Sequence, residues 1–248
     1  MARPTADRRT DLVSLYNALG PEHRCPLAPT RTRVVFGSGN ADADLMFVGE
    51  APGASEDREG LPFVGRAGKL LDQLLREIGL DRGQTFVANV LKCRPPGNRD
   101  PRPEEIEECS PHLFRQIELI EPRVICTLGN FSTKLLSGSP EGISKVHGRP
   151  QRREIGGRTV ILYPLFHPAA ALRTPAVLAL LRGDFAGLPD LLSREGATRD
   201  GGEAEEAPPL APGLREAGEP IEPVPSRGGV EDPRLPQDTQ LGLFGSQG

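Results

Sequence analysis

The chain has no long apolar run and no signal-like start. None of its 248 residues belong to a stretch of about eighteen apolar residues, the length that a membrane-spanning helix needs. The opening residues, MARPTADRRTDLVSLY, are not a charged stretch followed by an apolar core, so they do not resemble a secretory signal. We therefore expect a protein that neither spans nor crosses a membrane and that works in the cytoplasm.

Cysteine is also scarce. Four cysteines at uneven spacing do not form the regular framework of a disulfide-rich secreted domain. They favour either metal ligation or packing in the core.

The sequence lacks the basic excess of many DNA-binding proteins, since its formal net charge is −4. The acidity is concentrated in residues 196–248, which contain ten acidic and four basic residues, whereas residues 1–195 carry a net charge of +2. A mildly basic domain permits phosphate contact without requiring it. The acidic segment is rich in Gly and Pro and poor in aromatic residues, a composition typical of disorder. We predict one domain over residues 1–195 and a disordered tail over residues 196–248.

Apolar runs alternate with amphipathic stretches along the domain. The pattern predicts strands at residues 45–48, 86–90, 124–128 and 158–163, and helices at residues 67–78, 103–120, 131–136 and 175–192. Regular alternation of this kind predicts an α/β fold with a parallel sheet covered on both faces. Sites in such folds lie beyond the carboxyl ends of the strands, so the polar residues that follow each strand are the candidates for function.

The first predicted strand is followed by a Gly- and Pro-rich turn. Such a turn exposes backbone N–H groups that can hold a planar base or an anion, and a plain solvated turn is the alternative. Its glycines are spaced wrongly for the G-x-G-x-x-G dinucleotide motif. The turn consists of Gly49, Glu50, Ala51, Pro52 and Gly53.

Two further polar residues follow predicted strands. Asn89 has one side-chain acceptor and two donors, which match a carbonyl and an adjacent N–H on a pyrimidine edge; a turn-forming role is the alternative. His167 precedes Pro168 and is placed to donate a hydrogen bond where negative charge develops. Taken alone, each of these residues also fits an ordinary structural role.

Together and in this order, these elements resemble the family 4 uracil-DNA glycosylases, the iron–sulfur type of bacteria and archaea. The similarity runs from about residue 25 to residue 192 and includes Leu61-Pro62-Phe63-Val64-Gly65 and Phe166-His167-Pro168-Ala169. The resemblance implies a three-layer α/β/α domain with a central four-stranded parallel sheet. It also implies an enzyme of base excision repair that flips uracil out of DNA and hydrolyses its N-glycosidic bond, leaving an abasic site.

The same resemblance implies roles for individual residues. Phe63 stacks on the extruded uracil, Asn89 hydrogen-bonds its pairing edge, and His167 stabilises negative charge on a uracil carbonyl oxygen. Better-known uracil glycosylases carry an Asp where this chain has Ala51. The nearby carboxylates Glu50 and Glu56, with Asp57 behind them, are therefore the candidates for orienting the attacking water.

Family members hold a [4Fe–4S] cluster with four cysteines. Cys93 and Cys109 are 16 residues apart, as the family pattern requires, and Cys25 matches the second cysteine of the early pair. Glu22 replaces the first, and His23 is next to it, so we expect a cluster with Glu22 or His23 as the fourth ligand. A labile three-cysteine cluster, or none, is the alternative. Cys126 lies in an apolar strand and is predicted to be a core residue.

The end of the chain contains Gln240, Leu243 and Phe244 within the peptide QLGLF. This peptide resembles the short segment by which bacterial repair proteins bind the β sliding clamp, so the clamp is an expected partner besides uracil-containing DNA. We expect the protein itself to be a monomer.

Two other functions are compatible with the sequence. One is a non-catalytic DNA-binding or polymerase-accessory module of the same fold. Relatives that trap the base covalently carry a His in a basic loop after the second strand, and residues 95–99 of this chain, PPGNR, have none. The other is a nucleotide- or phosphate-binding α/β enzyme that uses the turn at residues 49–53.

Overall fold

The computed structural model of the chain describes residues 5–19 and 25–197. Strands and helices alternate along most of this part of the chain, as the sequence predicts. In chain order the elements are α1 (Thr5–Ala18), β1 (Ser38–Gly39), β2 (Leu45–Gly49), α2 (Ala54–Glu59), α3 (Arg66–Glu77), β3 (Thr85–Asn89), α4 (Pro103–Ile120), β4 (Val124–Leu128), α5 (Asn130–Ser137), α6 (Ile143–Val146), β5 (Gln151–Ile155), β6 (Arg158–Leu165), α7 (Pro168–Ala171), α8 (Pro175–Ala186) and α9 (Leu188–Ala197).

The strands described here form one mixed sheet in the order β1-β3-β2-β4-β6-β5. The four central strands are parallel to one another, which confirms the predicted four-stranded parallel core of an α/β fold. The two outer strands, β1 and β5, pair antiparallel with their neighbours. The sheet is therefore wider than predicted.

Neither outer strand was predicted, because neither contains an apolar run. β1 is two residues long, Ser38 and Gly39. β5 reads QRREI and is mostly half-buried, because it lies at the edge of the sheet. It joins β6 through Gly156 and Gly157, which both have positive φ angles of 62° and 69° and so form a turn that glycine accommodates at least cost.

Apolar side chains cover both faces of the sheet. On one face, Met46 and Phe86 pack with residues of α1 and α4, such as Leu12 and Leu113. On the other, Phe47, Val87 and Tyr163 pack with the apolar side of α3 and with Phe185 of α8. Because successive strand residues point to opposite faces, this division follows from the apolar character of nearly every residue in the central strands. The fold is a three-layer α/β/α arrangement.

Two helical regions differ from the sequence prediction. The closing helix predicted at residues 175–192 is two helices, α8 and α9, with Gly187 between them. The N-terminal helix α1 was not predicted, because its apolar residues have little helical periodicity. The buried Arg8 holds it in place by donating to the carbonyl of Ile120 at 3.0 Å and pairing with Glu121 at 2.8 Å.

The parallel strands bring the candidate residues to one edge of the sheet. Gly49 and Asn89 end the neighbouring strands β2 and β3 and are partners in the register. His167 follows β6, two strands further along the sheet. A site assembled here joins segments more than 100 residues apart in the chain.

Several sequence predictions fall on residues that the structure does not describe. These are the ligand candidates Glu22 and His23, and the peptide residues Gln240, Leu243 and Phe244 of the predicted tail. Within residues 5–19 and 25–197, no helix has the length and apolar character needed to cross a membrane.

Candidate active site

A cavity of about 370 Å³ opens at the carboxyl edge of the central strands, within the range of roughly 300–1,000 Å³ common for small-molecule sites. It is formed by the turn after β2, the end of β3, residues 95–99 and the start of α7. Eight of the predicted site residues line it: Glu50, Ala51, Pro52, Gly53, Glu56, Phe63, Asn89 and His167.

Gly49 lies beneath the cavity and permits the close approach of two of these side chains. A Cβ atom at this position would lie 2.4 Å from Asn89 Oδ1 and 2.7 Å from the Phe63 ring. Both distances are shorter than any ordinary van der Waals contact, so only glycine leaves room for this pairing. The need for glycine at residue 49 is therefore steric, since Gly49 is not among the residues with positive φ.

Asn89 presents an unpaired acceptor. Its side chain is 2% exposed, and Oδ1 is buried without a hydrogen-bond partner among the described residues. A buried polar atom left unpaired costs free energy unless a ligand or water satisfies it. Because Asn89 lines the cavity, a ligand there with an N–H group on its edge supplies the missing donor.

A fully buried lysine hydrogen-bonds the backbone carbonyl of Asn89. Lys92 Nζ donates to the Asn89 carbonyl oxygen at 2.8 Å and to Gln116 Oε1 at 2.6 Å. Gln116 in turn donates to the carbonyl of Phe36 at 2.9 Å. Burial lowers the pKa of Lys92 to about 7, against an opposing effect of Cys109 and Cys93. Lys92 was not predicted from the sequence, because one lysine after a strand has no pattern that marks it as buried.

His167 lies at the amino end of α7, and its hydrogen bonds define its tautomer. Its Nδ1 atom accepts a hydrogen bond from the backbone N–H of Ala169 at 3.0 Å, so the ring proton of the neutral form is on Nε2. Burial lowers the pKa of His167 to about 4, although the charge of Glu56 opposes this shift. At neutral pH the residue is therefore an uncharged Nε2–H donor.

The aromatic ring of Phe63 lies beside that of His167. Their centroids are 5.8 Å apart, and the ring planes differ by 26°. Phe63 is 7% exposed, so most of its surface is packed by protein and the remainder faces the cavity. Both residues line the cavity, so a ligand there meets an aromatic ring and an imidazole.

The two predicted water-orienting carboxylates have different surroundings. Glu56 Oε1 accepts hydrogen bonds from the backbone N–H groups of Val64 at 3.0 Å and Gly65 at 2.9 Å. Glu50 is half-buried, and desolvation, with a smaller effect of Asp100, raises its pKa. Both residues line the cavity, but Glu56 already binds protein backbone, whereas Glu50 is a half-buried carboxyl group with an increased proton affinity.

The loop at residues 95–99 contributes lining residues that the sequence analysis did not assign to the pocket. Pro95, Asn98 and Arg99 face the cavity. Arg99 is bound by both guanidinium arms to Glu105, at 2.9 Å for Nη1, and this hydrogen bonding lowers the pKa of Glu105. Arg99 therefore holds the loop on α4.

Comparison with known proteins identifies this arrangement. Residues 36–183 match the model of the Uracil DNA glycosylase superfamily. The type-4 uracil-DNA glycosylase of Sulfurisphaera tokodaii is 48% identical over 173 residues, which cover 68% of this chain and 79% of the relative. The chain belongs to the type-4 uracil-DNA glycosylases. The type-4 enzyme of Saccharolobus solfataricus is 47% identical over 182 residues (71% of this chain, 84% of the relative) and that of Thermotoga maritima 50% over 150 residues (60% and 77%).

This membership confirms the resemblance seen in the sequence. It also decides against the alternative of an unrelated nucleotide-binding enzyme, because the turn at residues 49–53 belongs to a type-4 uracil-DNA glycosylase domain.

Three cysteines of this type-4 uracil-DNA glycosylase converge below the loop that leads from β3 to α4. Cys25 Sγ and Cys109 Sγ lie 3.8 Å apart, and Cys25 also hydrogen-bonds Cys93. All three are buried. The hydrogen bonds with Cys25, followed by burial, raise the pKa values of Cys93 and Cys109, so these thiols are protonated at neutral pH.

An N–H group is directed at each of the three sulfurs. The backbone N–H of Leu27 donates to Cys25 at 3.4 Å, and Arg31 Nη1 donates to Cys93 at 3.3 Å. The backbone N–H of Lys92 donates to Cys109. N–H donors directed at sulfur are what iron–sulfur sites use to tune thiolate ligands. Three thiols thus fit a cluster, although no group of three His, Cys, Asp or Glu in the described ranges is arranged as a ligand set for a metal ion.

Cys126 lies elsewhere in the molecule. It is fully buried in the core on the opposite face of the sheet from Cys93 and Cys109. Burial raises its pKa well above the ordinary value. Its position agrees with the prediction that it is a packing residue.

Proposed function

We propose that this chain excises uracil from DNA by hydrolysing its N-glycosidic bond, and that it leaves an abasic site for base excision repair. The observation that carries the proposal is the convergence of Phe63, Asn89 and His167 on one cavity in a chain of the type-4 family. A base within a duplex is out of reach, so the enzyme flips the nucleotide at a cost of a few kcal/mol. Contacts in the cavity offset this cost.

Phe63 and Asn89 bind the flipped base. Stacking on the Phe63 ring contributes about 1–3 kcal/mol. Asn89 Oδ1, the unpaired buried acceptor, accepts the N–H between the two uracil carbonyls, and its amide group donates to the adjacent carbonyl. Cytosine lacks this N–H donor, so it leaves Asn89 Oδ1 unsatisfied.

His167 supports bond cleavage. As the glycosidic bond breaks, its electrons move onto the uracil ring and increase the negative charge on the carbonyl oxygen. The neutral Nε2–H group of His167 donates a hydrogen bond to this oxygen. Such a preorganised donor contributes about 3–4 kcal/mol to transition-state stabilisation.

Glu50 is the better placed of the two candidates for orienting the attacking water. Glu50 lines the cavity, and burial raises its pKa, which strengthens it as a proton acceptor. Glu56 already accepts two backbone hydrogen bonds on Oε1. Because the leaving group departs largely before water attacks, weak activation by Glu50 is sufficient, and Ala51 is compatible with catalysis.

Cys25, Cys93 and Cys109 hold a [4Fe–4S] cluster in this proposal, and Glu22 or His23 supplies the fourth ligand. The support is the convergence of three buried thiols, each with an N–H donor directed at it. The cluster is structural and ties the segment around Cys25 to the β3–α4 loop. Binding releases the thiol protons, so cluster retention decreases at low pH.

The peptide with Gln240, Leu243 and Phe244 docks the enzyme on the β sliding clamp. The proposal rests on the sequence, because these residues lie outside the described ranges. Leu243→Ala combined with Phe244→Ala is expected to abolish capture of the chain by immobilised clamp while excision from short oligonucleotides is unchanged. Equal capture of the double variant and the parent would contradict the assignment.

Excision is tested with the full chain and a labelled oligonucleotide that contains a single uracil. Alkali treatment after incubation converts each abasic site into a strand break, so cleavage at the uracil position is the expected result. The matched oligonucleotide with thymine at that position is the control and is expected to remain intact. Binding of the uracil strand without cleavage would instead support a non-catalytic module of this fold.

A further inference from the structure

Phe63 has a backbone conformation that side chains rarely adopt. Its φ angle is +52°, in the left-handed region that costs free energy for a residue other than glycine. Such conformations persist where the surrounding structure holds them, and they are enriched at functional sites. The segment that carries this residue, residues 61–65, is called the Phe63 loop below.

Two side chains outside the loop bind its backbone on either side of Phe63. Arg82 donates from Nη1 to the Phe63 carbonyl oxygen at 2.9 Å and from Nη2 to the carbonyl of Pro62. Glu56 accepts from the N–H groups of Val64 and Gly65. A cation thus binds two consecutive carbonyls, and an anion binds the next two N–H groups. The peptide groups before and after Phe63 are both fixed.

Arg82 is itself held in position. Its Nη1 also pairs with Asp72 Oδ1 of α3 at 3.0 Å. Arg82 lies in a short 3₁₀ turn before β3, and a reciprocal pair of hydrogen bonds between Asp81 and Gln84 closes this turn. The guanidinium is therefore anchored by α3 on one side and by the start of a core strand on the other.

The first turn of α3 completes the support. A Cβ atom at Gly68 would lie 1.7 Å from the Phe63 carbonyl oxygen, so this carbonyl is packed directly against the helix backbone. The contact places the Phe63 carbonyl where Arg82 reaches it. The carbonyl carbon of this peptide group belongs to Phe63, so rotation of the group also moves the Phe63 ring.

We propose that Arg82 is a positioning residue that sets the orientation of the Phe63 ring for base stacking. The inference rests on the proposed role of Phe63 and extends it to a residue outside the cavity lining. Loss of Arg82 leaves the carbonyls of Pro62 and Phe63 without their charged donor. Phe63 then relaxes from positive φ, and its ring leaves the position 5.8 Å from His167.

Arg82→Met tests the proposal, because it retains an apolar stem and removes the guanidinium. We expect kcat/KM for uracil excision to fall by about 10- to 100-fold, as misplacement of a binding group by about 1 Å does. The inhibition constant of free uracil is expected to rise, since stacking weakens. Arg76→Met, on the exposed side of α3, is the matched control and is expected to leave both constants unchanged.

A purely structural role gives a different result. Arg82→Met would then lower the melting temperature, while the inhibition constant of free uracil measured on folded protein would equal that of the parent. Asp72→Asn retains Arg82 but removes its anchor, so it is expected to cause a smaller loss of the same kind. This variant also keeps the test decisive if Arg82→Met does not fold.

A double-mutant cycle with Phe63→Ala shows whether Arg82 acts through Phe63. If it does, Arg82→Met has little further effect in the Phe63→Ala background, and the two losses are strongly non-additive. Equal losses in both backgrounds would overturn the inference. If Phe63→Ala alone has no effect on excision, the stacking proposal itself fails, and the two failures are thereby distinguished.

Discussion

Gly49→Ala is expected to slow uracil excision, although residue 49 itself contributes no side chain to the reaction. The added Cβ atom would lie 2.4 Å from Asn89 Oδ1 and 2.7 and 2.9 Å from atoms of the Phe63 ring, whereas ordinary contacts begin at 3.4 Å. Asn89 or the strand end must therefore move by roughly 1 Å. A misplacement of that size costs about 10²-fold in rate, or about 2.7 kcal/mol in activation free energy.

The assay is single-turnover excision of uracil from a labelled single strand, measured alongside thermal unfolding. Overpacking at this buried position is expected to cost a further 1–3 kcal/mol of stability, roughly, so rates are compared at a temperature where both proteins are folded. Gly183→Ala is the control substitution. It lies in α8, and a Cβ atom there meets nothing within 4 Å, so we expect unchanged excision and a stability gain of about 0.5–1 kcal/mol.

A Gly49→Ala variant that excises uracil at nearly the parental rate would refute this reasoning. It would show that Asn89 and Phe63 do not need the separation seen here, and hence that the close approach over Gly49 is not part of the catalytic geometry.

Two further predictions concern the cluster and the histidine. Cys93→Ser is expected to abolish absorbance at about 400 nm in anaerobically purified protein. Cys126→Ser, on the other face of the sheet, is expected to retain it, and equal spectra of the two variants would contradict the ligand assignment. The pKa of His167 is lowered from 6.5 to about 4, so the unfolded chain takes up a proton below pH 6.5 that the folded protein does not. Stability is therefore lost as pH falls from 6.5 towards 4, by about 2 kcal/mol between pH 7.5 and pH 5. In urea unfolding at the two pH values, His167→Gln is expected to lack this part of the loss, and an unchanged pH dependence would show that His167 is not held neutral.

Much of the fold is readable from the sequence, because central parallel strands are apolar on both faces. The run Val124–Leu128 and the amphipathic helix Pro103–Ile120 have the bounds expected from their patterns. The edge strand Gln151–Ile155 was not predicted, since four of its five residues are polar and it forms by pairing with β6. The break at Gly187 was missed although the sequence carries a signal for it, since Pro189, two residues later, has no backbone N–H and cannot continue a helix.

Site residues could be predicted from the sequence only where a motif marks them. Asn89 and His167 follow strands, and Phe63 lies in a short recognisable segment. Arg82 and Lys92 belong to no such pattern, and their hydrogen bonds reach the carbonyls of Phe63 and Asn89 through the fold. Glu56 was predicted from the sequence as a candidate for orienting water, whereas in the structure its Oε1 atom binds the backbone of the Phe63 loop.

The amino-acid sequence alone determined the α/β class, the family resemblance and the residue types available at the ends of the strands, because periodicity and short motifs are local properties of the chain. Only the tertiary structure decided which of these residues meet. The left-handed backbone of Phe63, the unpaired oxygen of Asn89 and the neutral state of His167 each depend on neighbours from distant segments. Burial and close contact create these properties, and both arise only when the parallel strands bring their carboxyl ends to a common edge.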